Sequence, residues 1–158
     1  MIAVADTSPI CYLVLIGEVD LLPALFSEVV IPRAVATELS DPRVPASVRD
    51  WWQEPPDWIR IAERENEEPP EGLRRLHRGE REAILLAERL EADFVLLDEK
   101  AARRAARALG LPAMGLLGLL AAAADRELVD VRRAVDRLRR TNFRVSPALL
   151  GDLLKRFA

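Results

Sequence analysis

Cysteine, histidine and tyrosine each occur once in 158 residues, and these scarcities exclude whole classes of chemistry. The lone Cys11 permits no internal disulfide. Without a cysteine pair or a second histidine, there is no zinc site of the usual composition. Cys11 falls in the apolar phase of the first expected helix and reads as a small buried hydrophobe, not a nucleophile, because no basic residue is near it in sequence. His77 stands next to Arg78 in a polar stretch and reads as a surface residue and not as a catalytic base. Glycine is also scarce, with seven residues that never cluster, so the chain has no Walker sequence, no dinucleotide fingerprint and no glycine-rich phosphate loop. The apolar stretch 111–124 is too short to span a bilayer and carries Pro112, Gly115 and Gly118. No basic segment opens the chain and Asp6 interrupts its first apolar run, so a secretory signal is not expected and a cytoplasmic protein, off the membrane, is. The net charge of −3 excludes a wholly basic nucleic-acid coat, while leaving room for a local patch where arginines cluster.

What the chain does contain is an ordinary globular balance, half hydrophobic and nearly a third charged, at a length that suits one compact domain over 1–158. The segment Ile2 to Ala5 is a short apolar run with β-branched residues, the mark of a strand covered on both faces, and it stops at Asp6. Thr7 or Ser8 can cap the helix that follows, Pro9 fits its first turn, and Gly17 offers the left-handed stop. A short helix over 20–26, a strand over 28–31 and a helix opened by Pro32 come next, with Val35 and Leu39 inward and Glu38 close to that buried face. Residues 41–56, with Trp51 and Trp52, suggest a short helix between loops. Residues 58–61 suggest an edge strand, and 63–71 an exposed charged connector. A strong amphipathic helix over 79–90 precedes a fully apolar strand, 93–97, which again ends in a carboxylate, Asp98.

A helix over 100–109, a short strand over 111–114, a helix over 116–124 and two amphipathic helices over 131–140 and 147–157 complete the chain. The leucines of the last helix can finish the core or dock a partner, with core packing the expected use. Strands alternating with helices through short connections require a parallel sheet with right-handed crossovers. The expected fold class is therefore α/β: three layers, α/β/α, around a central parallel sheet of four or five strands.

In such a sheet the carboxyl ends of strands are neighbours, so Asp6 and Asp98 can approach one another at the edge where open α/β sheets keep their ligand sites. Glu38 lies near a buried face, Glu80 falls inside the apolar arc of its helix, and Glu82 lies at the border of that arc. Carboxylates about 4 Å apart repel by about 4 kcal/mol at an effective dielectric near 20. A cluster of them is tolerable only if some are protonated or a cation sits among them. Oxygen-only ligands select the hard cations Mg2+ or Mn2+, whose characteristic work is phosphoryl chemistry. Asp6 as a mere helix cap is the plain alternative, and a paired-carboxylate glycosidase is weakened by loops too short for a sugar cleft.

The segments Asp6-Thr7-Ser8-Pro9, Val30-Ile31-Pro32 followed by Glu38, Gly79-Glu80-Arg81-Glu82-Ala83-Ile84, and Leu96-Leu97-Asp98-Glu99-Lys100 followed by Arg103 resemble the PIN domain, in its branch with a Gly-Glu-x-Glu-Ala helix. Gly110 to Gly115 and Phe143 to Pro147 fit the same branch, so the resemblance covers nearly the whole chain. It implies a metal-dependent ribonuclease of the kind found in toxin–antitoxin pairs, hydrolysing RNA phosphodiesters with Mg2+ or Mn2+. Carried over, Asp6 is the first metal ligand, Glu38 the second acid, Glu82 the acid before Ala in the central helix, and Asp98 the last strand-end acid. Glu80 stands as the substitute for Glu82 and Glu99 as the alternative to Asp98, while Ser8 would hold Asp6 or a water by hydrogen bonding. Arg103, Arg104 and Arg107, just after Asp98, are candidates to guide the RNA backbone, with plain solvent exposure as the alternative for each. The partners implied are RNA, a small antitoxin protein and a second copy in a homodimer. Two other functions fit the residues: a PIN-fold binding or scaffold module without effective metal binding, and a metal phosphohydrolase of small phosphate esters.

Overall fold

The computed structural model describes residues 1–63 and 68–158. Five strands, β1 (Ile2–Ala5), β2 (Glu28–Pro32), β3 (Ile59–Ala62), β4 (Phe94–Leu96) and β5 (Ala113–Met114), form one sheet in the order β3-β2-β1-β4-β5. Every neighbouring pair is parallel. The helices among the described residues are α1 (Thr7–Leu15), α2 (Leu21–Leu25), α3 (Arg33–Leu39), α4 (Ala46–Trp52), α5 (Arg78–Leu90), α6 (Lys100–Ala108), α7 (Leu116–Asp125), α8 (Val131–Arg139) and α9 (Pro147–Arg156).

The strand alternation explains the layers. Ala3, Ala5, Val29, Ile31 and Leu96 point to one side of the sheet, where α1 to α4 and α7 close over them. Val4, Val30, Val95 and Leu97 point to the other, against Ala83, Ile84, Leu86 and Ala87 of α5 and Ala102 and Ala106 of α6. Because both faces are covered, the strands are apolar at nearly every position and carry no polar stripe. The expected three-layer α/β/α arrangement around a parallel sheet is thus the observed one. A smaller cluster, Val131 and Val135 with Leu150 and Leu153, packs α9 onto α8, so most leucines of the last helix do serve the interior. Leu149 is the exception, turned outward.

Element ends differ from the expected ones in informative ways. Pro32 is the last residue of β2 and not the first of α3, because its fixed φ and extended ψ of 157° suit a strand end. The final strand shrinks from 111–114 to Ala113–Met114, since Pro112 has no N–H to donate, although its carbonyl still accepts from the Val95 N–H at 2.9 Å. Of the charged connector, residues 64–67 lie outside the described set, and Glu71–Leu73 forms a turn of 3-10 helix with Leu73 buried. Gly17 does stop the first helix, with φ at +74°, a conformation only glycine adopts without strain.

The order of strands places the site. The chain builds outward from β1 through β2 to β3, then returns to lay β4 on the other side of β1. Connections therefore leave β1 and β4 on opposite faces, and a crevice opens at their carboxyl ends, which is where Asp6 and Asp98 stand. Substituting Ile31, fully buried in β2, by Ala should lower the unfolding free energy by about 3 kcal/mol. Urea titration followed by tryptophan fluorescence should show this as a lower midpoint with an unchanged slope.

Candidate metal centre and its surroundings

Asp6 follows β1 directly, and its backbone N–H continues the ladder by donating to the Leu96 carbonyl at 3.1 Å. It occupies the N-cap position of α1, yet its side chain accepts no helix-capping hydrogen bond. The carboxylate is left facing inward, only 6% exposed. Glu38, near the end of α3, reaches the same place, held by the Thr7 hydroxyl, which donates to its Oε2 at 2.5 Å. Asp6 and Glu38 converge on one point. A Cβ added to Gly79 would lie 2.7 Å from Glu38 Oε1, 3.1 Å from its Oε2 and 3.0 Å from Asp6 Oδ1. Only glycine lets the start of α5 come this close to two carboxylates.

Glu80, the next residue, is 5% exposed. It stands at the third position of α5, where an acid reaches back to the backbone N–H of the capping residue, here His77. Its neighbour two positions on, Glu82, is rotated about 200° around the helix and engages Arg78 at 3.4 Å. A cavity of about 430 Å³ gathers Asp6, Glu38, Glu80 and Glu99, with Thr7 and Ser8 on its wall. Glu82 is outside it. Asp98 lines a neighbouring groove instead, close enough to Asp6 to disfavour ionisation there.

Burial sets the protonation of this group. Desolvation pushes Asp6 up to about 7, with Glu38, Glu80 and Asp98 adding to the effect and the Thr7 backbone N–H opposing it. Burial likewise raises Glu80, against the pull of His77. Asp98 is raised to about 6 by burial, against the Arg103 guanidinium. These carboxyls favour either a proton or a cation. The donors are all oxygens, which suits Mg2+ or Mn2+, and the Gly79 cradle leaves space between two of them. Among the described residues, however, no three acidic, imidazole or thiol side chains already stand close enough to hold a metal ion together. A third ligand, Glu80 or Glu99, would have to turn toward the Asp6 and Glu38 pair.

Several placements could not be read from residue spacing. Ser8 lines the cavity, but among the described residues the hydroxyl bonded to an acid belongs to Thr7. His77 is exposed, as expected, yet it also borders the acidic cavity, as do Asp41 and Arg43, which pair at 2.9 Å. The signal for His77 was its position just before Gly79-Glu80, where the helix cap must lie against the site. Arg103 turns back to donate to the carbonyls of Leu97 at 3.1 Å and Asp98 at 2.5 Å, bracing the end of β4. Arg107 donates to the Ala113 carbonyl at 3.3 Å and borders the groove. Arg104 is exposed and borders neither cavity nor groove.

A sequence-family model described as PIN domain matches residues 2–158. Among solved structures, the fold is similar to that of a PilT N-terminus domain protein from the hyperthermophilic archaeon Sulfolobus solfataricus P2. The TM-score is 0.57 at 20% sequence identity, covering 78% of this chain and 93% of that one, a likeness that speaks for the fold alone. No curated protein matches the chain.

The raised carboxyls give the metal-free protein a defined response to pH. Asp6 ordinarily titrates near 3.8 and in the fold near 7, so the folded state binds its proton more tightly than the unfolded state does. The stabilisation is complete at acidic pH below the ordinary value and is lost as pH rises through about 7. In chelator, the thermal midpoint should fall between pH 5 and pH 8, and Asp6→Asn should flatten that fall; a midpoint rising across the range would contradict the assigned burial.

Proposed function

This chain belongs to the PIN-domain family, whose members are generally nucleases, and on that premise we propose that it is a Mg2+- or Mn2+-dependent endoribonuclease. The observation that carries the proposal is the convergence of Asp6 and Glu38 beside Gly79 in a cavity that also holds Glu80 and Glu99. Asp6 and Glu38 would hold the cation, with Glu80 or Glu99 completing the set and Asp98 contributing negative charge from the adjoining strand end. When bound, a divalent cation supplies Lewis-acid stabilisation of the phosphate oxygens and a lowered pKa for water. The protein's own part is positional. Thr7 fixes the Glu38 carboxylate, and Gly79 keeps backbone close without filling the space between the acids. Arg103 braces the strand end that carries Asp98.

Glu80 is favoured over Glu82 as the acid of the central helix, because it is Glu80 that lines the cavity. The same proposal extends to a biological role as the ribonuclease of a toxin–antitoxin pair, restrained by a small partner protein and acting as a homodimer. That role is supported by the sequence motifs. No helix among the described residues is long and apolar enough to cross a membrane. One observation favours a PIN-fold binding module without metal: among the described residues no three ligands yet converge.

Titration calorimetry with Mn2+ separates these readings. The wild type should bind and Asp6→Asn should not; a wild type that binds no Mn2+ would remove the nuclease proposal. With Mn2+ present, structured RNA should be cleaved and a generic phosphate monoester left intact, and expression without a partner should arrest growth for the wild type but not for Asp6→Asn. Gly79→Ala offers a finer check. Gly79 lies in the first turn of α5 and an added Cβ meets only side-chain carboxylate oxygens, so stability should change little while the displaced carboxylates lose Mn2+ affinity at least about tenfold, a cost of about 1.4 kcal/mol in binding.

A further inference from the structure

Among the described residues that line the acidic cavity, Arg43 is the only lysine or arginine. It stands just past α3, the helix that delivers Glu38, and therefore on β2's side of β1, while the groove that takes in Asp98 opens on β4's side. The turn that carries it is braced. The Asp41 N–H donates to the Glu38 carbonyl at 3.0 Å, the Val44 N–H donates to the Asp41 carbonyl at 3.1 Å, and the Val44 side chain packs against the core. Asp41 holds the arginine in three ways, accepting from its backbone N–H at 2.8 Å, its Nε–H at 2.9 Å and an Nη2–H at 3.0 Å. The guanidinium in return pushes the Asp41 carboxyl down to about 2, so the pair stays charged in neutral solution.

A guanidinium has two edges that can each grip an oxyanion with two N–H groups. Asp41 occupies the edge made by Nε and Nη2. The opposite edge, Nη1 with the second Nη2 hydrogen, has no acceptor among the described residues, and the side chain is 90% exposed. An arginine clasped at one edge and open at the other is oriented in a way that a lone surface arginine is not.

We propose that Arg43, oriented by Asp41, grips the phosphate of the bond that is cleaved, through its free Nη1–Nη2 edge at the mouth of the acidic cavity. The proposal rests on the nuclease reading and adds a residue that touches the reacting group, with Asp41 as its positioning residue. The cavity creates the need. Asp6, Glu38, Glu80 and Glu99 gather there, and when all are ionised one divalent cation offsets only two of their four charges. A phosphodiester brought among them adds a further negative charge. As a water oxygen joins phosphorus and an ester oxygen leaves as an alcohol with a proton from that water, the nonbridging oxygens gain charge in the transition state. A guanidinium already fixed beside them counts for most at that moment. The Glu38 carboxylate acts electrostatically on Arg43, so the field of the guanidinium reaches the centre.

The test combines binding and cleavage by the full chain. Binding is read by fluorescence anisotropy of a 12-nucleotide RNA on protein carrying Asp6→Asn, so that no strand is cut. Adding Arg43→Ala should lower affinity severalfold and reduce the slope of log affinity against log salt by about 0.7, one phosphate contact on a single strand. In otherwise wild-type protein under Mn2+, Arg43→Ala should lower kcat at least about tenfold, while calorimetry shows Mn2+ affinity undiminished. Arg43→Lys should restore the salt slope but not kcat, because an ammonium has no planar fork to share between Asp41 and phosphate. Asp41→Asn should fall between wild type and Arg43→Ala in kcat.

Unchanged affinity, salt slope and kcat in Arg43→Ala would overturn the proposal and leave the nuclease standing. Weaker RNA binding with kcat intact would overturn it too, since the arginine would then hold a flanking phosphate. So would full recovery of kcat by Arg43→Lys, which reduces the fork to a point charge, or lost Mn2+ affinity in Arg43→Ala, which marks a disturbed acid cluster. Wild type that binds Mn2+ and cuts no RNA retires the nuclease, and with it the cleavage role of Arg43; the salt slope then decides separately whether Arg43 binds phosphate.

Discussion

Like charges forced together out of water govern this structure. Asp6 ends the central strand with its carboxyl buried, and Glu38 is brought against it by the helix that follows the neighbouring strand. Neither residue belongs to the apolar clusters that fill the two faces of the sheet. A buried carboxyl beside a half-buried one is held there against their mutual repulsion, which a proton or a cation relieves. The neighbourhood is built around that conflict: a glycine where any side chain would intrude, a hydroxyl that orients one acid, and a helix start that brings a further acid to the same cavity.

The conflict can be sustained because it sits at the one place the topology leaves open. A parallel sheet whose chain reverses its direction of growth between β1 and β4 parts its connections there, and the gap cannot be filled by the helices that cover the faces. The groove beyond Asp98 exploits the same gap on its other side, where α7 starts and α9 folds back. Acid and base are thereby separated by a single strand end.

Most of the architecture was legible from residue patterns. Apolar runs bounded by Asp6 and Asp98, the 3.6-residue periodicity of α5 and the stops at Gly17 and Gly110 locate strands and helices within a residue or two, because each follows from local chemistry. Element ends were less legible. Pro32 and Pro112 act through whether a particular N–H is needed by a neighbouring strand, which depends on a partner far away in sequence.

The sequence by itself determined the three layers and the parallel sheet, and it put Asp6 and Asp98 at strand ends that can approach one another; that Glu38 and an acid of α5 join them was implied only by the family resemblance. The sequence also placed Glu80 within the buried arc of its helix and Glu82 at the border, a distinction of angle that survives in the folded chain. Tertiary structure alone decided which oxygens meet. That Thr7 and not Ser8 bonds to Glu38, that Gly79 is the cradle, that Asp98 and Glu99 face different hollows, and that Arg103 turns inward while Arg107 stays free of carboxylate partners among the described residues, all depend on distances across elements. Local pattern specifies which face a side chain leaves from; only packing in three dimensions specifies what it finds there.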